Sequence, residues 1–308
     1  MIVDVHVAGI SRSLENRKLT ELVQKDKAMQ FIQKLYGQKR ATPPTIEDYV
    51  RAMKNLGVDK LIVHSVGYYP ATCQALNNAT KVLCEKFPEQ LVGFATAPLA
   101  YPKQSVHELN RAVKDLELRG LKIYPKFQGV ALDSEKMQPL YKEAERLGIP
   151  VLTHSDRYTG SYTGSSHMRE IDNTACNTAR LFRSSILEST PRLTMILAHL
   201  GGGIMFYKDD LYAMSRTFGE SDETQYFDRL FDQFYYDLAP ANWWSERIVQ
   251  MAIDIVGEDR LLFGTDFPLP DAMREVEKCI KHVAAFNLPE STKRKILGEN
   301  AKRLLNLK

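Results

Sequence analysis

TMILAHLGGG, at residues 194–203, is the stretch on which the reading of this chain turns. Met195 to Ala198 are apolar whichever way their side chains point. That is the pattern of a parallel strand covered on both faces, not of a strand with one wet face. The run closes on His199 and three glycines. A ligand-type side chain at the carboxyl end of a buried parallel strand is where α/β enzymes place their chemistry. The glycines could cradle an anion, yet a tight strand-to-helix turn calls for glycine in any case, and the turn is the preferred reading.

On either side of it, seven more β-rich runs lie at 2–6, 60–65, 91–97, 120–124, 150–154, 234–238 and 260–266, and LIVH and LLFG share the two-faced apolar character. Helical patterns fill the gaps between them. Thr45 and Asp48 open one, through Val50, Met53 and Leu56. Ser105 with Glu108 reads as a capping box ahead of Leu109, Ala112, Val113 and Leu116. Met137, Leu140, Tyr141, Ala144 and Leu147 form a third, capped by Asp133 or Ser134 and stopped by Gly148. Eight strand–helix units in sequence predict an α/β fold, a closed (β/α)8 TIM barrel running through residues 1–308 as one domain. The competitor is a doubly wound open sheet, which loses ground because no GxGxxG follows the first strand. Two connections exceed what a plain barrel needs, 8–44 after strand 1 and 155–175 after strand 5. Both leave the strand ends where barrel active sites sit, so both are read as pocket walls.

Composition narrows the function classes. Lys+Arg number 41 and Asp+Glu 38 in 308 residues, a net charge of +3. That near balance, with no basic block, leaves no electrostatic footprint for nucleic acid or an anionic membrane. No run approaches the roughly 18 uninterrupted apolar residues of a membrane span. Cys73, Cys84, Cys176 and Cys279 are scattered without metal-finger spacing and are read as reduced thiols of a cytoplasmic protein.

The polar residues at strand ends carry the functional reading. Asp4 and His6 close the first run, His154 the fifth, His199 the sixth and Asp266 the eighth. A barrel gathers those ends into one small volume. Imidazoles and a carboxylate there suit a divalent ion of the zinc type with a position left for water. Lone histidines elsewhere have blander uses, and His107, His282 and His167 are read as structural or solvated. Trp243 and Trp244 are read either as pocket lining or as rim packing.

In these same pieces the chain resembles the amidohydrolase superfamily, in its amidohydrolase-2 branch of metal-dependent hydrolases and decarboxylases. The matching segments are DVH at 4–6, GLKIYPKFQG at 120–129, PVLTH at 150–154, ILAHLGG at 196–202, YYDLA at 235–239, LLFGTDFP at 261–268 and ILGENAKRLL at 296–305. They follow the family's order and cover nearly the whole chain. The resemblance implies that His6, His154 and Asp266 hold one divalent ion, zinc first and manganese as the alternative. It implies that Asp266 carries a proton and that His199 acts beside the metal. Lys122 and Tyr124, with His64 and Arg157, would contact a small anionic substrate, and Arg12, Arg17 and Arg169 in the two long connections could add charge for it. A homodimer is the family-level expectation. One departure stands out: Ala8 occupies the second position of the usual His-x-His. Three protein ligands and a water still make a catalytic site, and His64 on the next strand is a candidate replacement ligand. Ala8 also keeps open a metal-free member, or a barrel retained as a binding or regulatory protein. The first reading of activity is hydrolysis of an amide, lactone or related bond by metal-activated water, with Asp266 as proton shuttle. The alternative is a non-oxidative decarboxylase of a small aromatic or unsaturated acid.

Overall fold

A computed structural model describes residues 1–9, 17–36, 44–154, 178–182, 184–217, 229–231, 233–268 and 272–307. Arg12, Arg157, His167, Arg169 and Cys176, and with them the connection at 155–175, lie outside the described residues.

The two-faced apolar runs form short parallel strands in the order of the sequence: β1 (Val3–Ala8), β2 (Lys60–His64), β3 (Leu91–Gly93), β4 (Ala95–Thr96), β5 (Leu121–Lys122), β6 (Val151–Leu152), β7 (Met195–Leu197), β8 (Phe234–Asp237) and β9 (Leu261–Leu262). Each pairs in parallel with its sequence neighbour, except that β3 and β4 are two halves of the run expected at 91–97. The strand changes partner at Phe94, whose N–H goes to Val63 O at 2.9 Å while Ala95 N–H goes to Gly120 O at 2.7 Å. The ring closes through the chain after β9: Val5 N–H donates to Phe263 O at 3.0 Å, Ala8 N–H to Phe267 O at 2.8 Å, and Val7 bridges Phe267. The (β/α)8 barrel read from the strand pattern is the fold of the molecule.

Two apolar layers account for the runs being hydrophobic on both sides. Val3, Val5, Ile62, Phe94, Leu152, Ile196, Tyr235 and Leu262 fill the barrel, and Ala301, Leu305 and Leu307 from the C-terminal turn pack into the same cluster. Their strand neighbours, Leu61, Val63, Leu121, Ile123, Val151, Met195 and Leu197 among them, pack outward under the helices. Filling is tight enough to dictate glycine at one strand start. A Cβ on Gly120 would lie 2.4 Å from the buried Phe94 ring. Gly120→Ala is therefore expected to destabilise the fold by roughly 1–3 kcal/mol, the usual effect of overpacking a core. Urea denaturation would show it as a lower midpoint with an unchanged slope.

Helix starts follow the sequence in part. Thr45 caps the helix Ile46–Leu56 with the full reciprocal capping box to Asp48, and Gly57 ends it at φ 72°. Ser134 caps the short turn leading into Gln138–Leu147, which stops at Gly148. The Ser105–Glu108 box does not form. That helix begins four residues earlier, with Tyr101 at the N-cap and Pro102 first in the helix, because proline at the first helical position needs no amide partner and has its φ preset. Ser105 and Glu108 are instead buried, Ser105 Oγ donating to Pro98 O and the Glu108 carboxylate receiving Asn77 and Arg111. Among its described residues, the 8–44 connection contributes two helices, Arg17–Lys25 and Lys27–Tyr36, ahead of the helix that packs on the barrel.

Candidate metal centre and active site

Strict alternation along β1 would send Asp4 and His6 to the same side. The register prevents this: Asp4 pairs with Leu61 and Val7 with Val63, so β1 carries one extra residue at the carboxyl-end side of Asp4. That bulge re-aims the strand. Val5 stays in the barrel, Asp4 turns to the outside, and His6 turns back in. Asp4 then works as a buried tie, accepting His6 N–H at 3.1 Å, Thr265 N–H at 3.1 Å, Thr265 Oγ at 2.5 Å and Tyr49 OH at 2.8 Å. Burial pushes its carboxyl up to about 6, opposed by those four donors.

Inside the carboxyl-terminal mouth, His6, His154, His199 and Asp266 each present a donor atom, all within 4.8 Å of one another. His6 Nε2 is 3.5 Å from Asp266 Oδ1, and His154 Nε2 is 3.4 Å from His199 Nε2. The backbone is forced to achieve this. Asp266 sits at φ 57°, His199 at 55° and Leu200 at 53°, followed by Gly201–Gly203 at 60–82°. The glycines thus serve the turn. Leu200 and the two site residues adopt the left-handed region without glycine's freedom, a strain typical of functional positions. A Cβ on Gly264 would stand 2.9 Å from Ala239 Cβ and 3.1 Å from His6 Cβ, so glycine lets three strand ends meet here.

Hydrogen bonds fix which nitrogen of each ring faces inward. His6 Nδ1 lies 2.9 Å from Asp237 Oδ2, and His199 Nδ1 lies 2.5 Å from Ala239 O. Both partners accept, so Nδ1 carries a proton in each ring, and in a neutral ring Nε2 keeps its lone pair for the mouth of the barrel. Burial, with Lys122 and His199 adding to it, holds His6 well below the usual histidine range, which keeps the ring neutral. Two inward lone pairs on fixed imidazoles, a third imidazole and a carboxylate form a donor set that fits a divalent ion.

Asp237 is the site residue that the sequence reading left without a role. It is fully buried, and its Oδ1 accepts His199 N–H at 2.9 Å and Ala239 N–H at 3.0 Å while Oδ2 holds His6. One carboxylate thus orients two of the converging histidines. Its signal was present: a lone aspartate closes a strand, FYYD, that is otherwise aromatic.

The expected substrate contacts are distributed around this centre. Lys122 is fully buried, with Nζ 3.0 Å from Thr153 O, 3.4 Å from His6 Nε2 and 4.7 Å over the Tyr124 ring. Burial lowers its pKa to about 7 against the pull of Asp237 and Asp266. Tyr124 lies 4.8 Å from the His154 ring, and its OH meets His64 Nδ1 at 3.2 Å. His64 stands opposite Ala8 across β1 and β2, its ring 5.4 Å from that of His6. It is not one of the four converging donors, and its buried Nε2 has no partner among the described residues. Arg17 is placed on the surface, 94% exposed and bonded to Glu21. Trp244 anchors the rim through Leu238 O, and Trp243 is exposed. His282 bonds Trp244 O as a structural residue.

A (β/α)8 barrel with three imidazoles and a carboxylate converging on its carboxyl-terminal mouth defines a barrel enzyme with a candidate metal centre. The amidohydrolase family model matches residues 39–307, and the chain belongs to that family, in its amidohydrolase-2 branch. Gamma-resorcylate decarboxylase of Rhizobium sp. (strain MTP-10005) is 26% identical over 246 residues, covering 73% of this chain and 72% of its own. The 2-amino-3-carboxymuconate-6-semialdehyde decarboxylase of Dictyostelium discoideum is 23% identical over 250 residues, covering 76% and 66%. Among solved structures, a dihydroxybenzoic acid decarboxylase from Polaromonas sp. JS666, with bound manganese and the inhibitor 2-nitroresorcinol, matches with a TM-score of 0.78 at 20% identity, over 99% of this chain and 97% of that one. These relatives overturn hydrolysis as the first reading of activity: each is a decarboxylase. The physical reason the residues misled is that one donor set beside one proton-carrying carboxylate serves either reaction.

Proposed function

We propose that the chain is a metal-assisted, non-oxidative decarboxylase of a small aromatic or unsaturated acid. The observation that carries the reading is the convergence of His6, His154, His199 and Asp266 within 4.8 Å, in a family whose matched relatives remove carboxyl groups. His6 Nε2, His154 and Asp266 would hold the ion, manganese or zinc. When bound, it supplies Lewis-acid polarisation of the substrate's oxygens.

The chain's own groups do the rest. Asp266, a quarter exposed at the mouth, delivers a proton from its carboxyl to the carbon bearing the carboxylate. The bond to the carboxylate then breaks, its electron pair returns to the substrate's π-system, and CO2 leaves. Net, the acid anion takes up one proton and yields the decarboxylated product and CO2. His199, with Nδ1 held on Ala239 O, presents Nε2 as an acceptor for a substrate hydroxyl. Tyr124 and Phe127, whose rings lie 4.8 and 6.4 Å from that of His154, offer flat apolar surface to an aromatic acid. Lys122 adds positive charge when protonated, which favours an anion.

The test is CO2 release from 2,6-dihydroxybenzoate and related hydroxybenzoates, run in D2O. One deuteron is expected at the carbon that lost its carboxyl, and chelation should remove activity that manganese or zinc restores. Absence of CO2 from every acid, in protein carrying less than about 0.1 metal per chain, would overturn the proposal.

A further inference from the structure

Asp26 lies between two exposed lysines, Lys25 and Lys27, at the joint of the helices Arg17–Lys25 and Lys27–Tyr36, yet it is fully buried. Its first duty is local. Oδ1 accepts Ala28 N–H at 3.0 Å and Met29 N–H at 3.4 Å, capping the second helix. Capping a helix takes one oxygen and leaves a side chain at the surface. Here Oδ2 is used as well, on a segment 42 residues away: Tyr68 N–H at 3.0 Å and Tyr69 N–H at 3.1 Å, with Oδ1 also 3.1 Å from Tyr68 N–H. One carboxylate therefore joins the connection that follows β1 to the connection that follows β2.

What those connections carry leads to the active site. Ala28, Val66, Tyr124 and Phe127 form one buried cluster, with Met29, Ile32 and Tyr68 packed against it. Tyr124 and Phe127 are the rings beside His154. Tyr68 is held from its other sides by Tyr69 and Tyr101, at 5.1 and 6.2 Å, and by the Lys27 ammonium 4.8 Å over its face. Gln128 braces the same wall from behind: its Nε2 donates to Gly67 O and Ala97 O, and its Oε1 accepts Tyr124 N–H. The second helix touches the barrel mouth through an apolar face, the first packs by Leu19 and Val23 on the outer cluster beside it, and their joint is fastened by a buried carboxylate.

We infer that Asp26 is a positioning residue which fastens the two-helix connection over the mouth, making Met29 and Ile32 the part of the pocket wall that selects among substituted acids. The selection half rests on the decarboxylase reading above; the fastening does not. The physical case for the anion is the difference between aspartate and asparagine at this position. An asparagine side chain could still cap Ala28 and reach Tyr68 N–H through its single oxygen, but it would turn an amide N–H2 toward the Tyr69 N–H, which then loses its acceptor, while Tyr68 N–H loses one of its two.

The experiment compares wild type, Asp26→Asn and Ile32→Ala as full-length, metal-loaded protein. Native-state trypsin cleavage after Lys25 and Lys27 is expected to quicken about tenfold in Asp26→Asn, with metal content and the thermal midpoint of the barrel close to wild type. KM for hydroxybenzoates should rise roughly tenfold while kcat changes less than about threefold, the signature of lost positioning without lost chemistry. Ile32→Ala should change the ratio of kcat/KM between ring-alkylated and unsubstituted hydroxybenzoates by about tenfold, the worth of a methylene or two in an apolar pocket, without changing cleavage. Unchanged proteolysis in Asp26→Asn overturns the fastening. Faster proteolysis with unchanged KM, or an unchanged substrate ratio in Ile32→Ala, overturns the role in selection. If wild type decarboxylates none of these acids, the activity reading and the selection role fall together, while the proteolysis pair still decides the fastening.

Discussion

Asparagine at position 266 is expected to lower turnover at least about a thousandfold, the scale set by removing a proton carrier, while the protein folds as before. The substitution isolates the chemistry unusually well. Asp266 occupies the left-handed region at φ 57°, where asparagine is among the best tolerated of the residues other than glycine. The side chain is 25% exposed, so an amide of the same shape can be accommodated there. What disappears is the anionic oxygen 3.5 Å from His6 Nε2 and the capacity to carry a proton. Circular dichroism and thermal melting should match wild type, and CO2 release should collapse. Metal content separates the two duties. Retained metal with lost turnover assigns Asp266 to proton delivery, and lost metal assigns it to holding the ion. Undiminished turnover would remove it from the reaction altogether.

The strand ends made His6, His154, His199 and Asp266 legible because a parallel barrel converts separate positions in sequence into neighbours, and the runs on both sides of each were unmistakably two-faced. LIVH shows why this works: Ile62 fills the barrel while Leu61 and Val63 pack under helices, so no polar residue is tolerated until His64 at the end. The failures have equally local causes. The side that Asp4 faces was not legible, because a bulge inserts a residue between it and His6 and nothing in VDVHVA announces a bulge. Pro102 outcompeted Ser105 for the helix start. Asp26 looks like a solvated aspartate between lysines, and only the approach of the loop after β2 makes it a buried anchor. Activity was illegible for a deeper reason. Attack by water on a carbonyl and protonation of a carbon both need a polarising centre and one titrating carboxylate, and the difference lies in how the substrate is presented. In the proposed function that falls to walls such as Val66, Tyr124 and Phe127, whose side chains also have an ordinary explanation as packing.

Asp237 offers the second large effect, because two substitutions there should separate stability from metal binding. In Asp237→Ala, His199 N–H and Ala239 N–H lose their buried acceptor, at about 1–3 kcal/mol for each unsatisfied group. The His6 ring also loses the partner that fixes it. Asp237→Asn keeps an oxygen for the two backbone donors but places an amide N–H2 opposite His6 Nδ1, 2.9 Å away in the wild type. A donor there obliges Nδ1 to accept, which moves the ring's single proton to Nε2, the nitrogen that faces Asp266. An Nε2–H cannot ligate. Burial raises the wild-type carboxyl's pKa, opposed by His199, Lys122 and the two N–H groups, and the amide has no such charge to stabilise. The asparagine variant should therefore melt close to wild type without metal and bind manganese or zinc 10–100-fold more weakly, read by competition against a chromogenic chelator. The alanine variant should lose several kcal/mol in urea as well. Wild-type metal affinity in Asp237→Asn would mean that the proton on His6 is not set by this carboxylate, and that the inward lone pair has another origin.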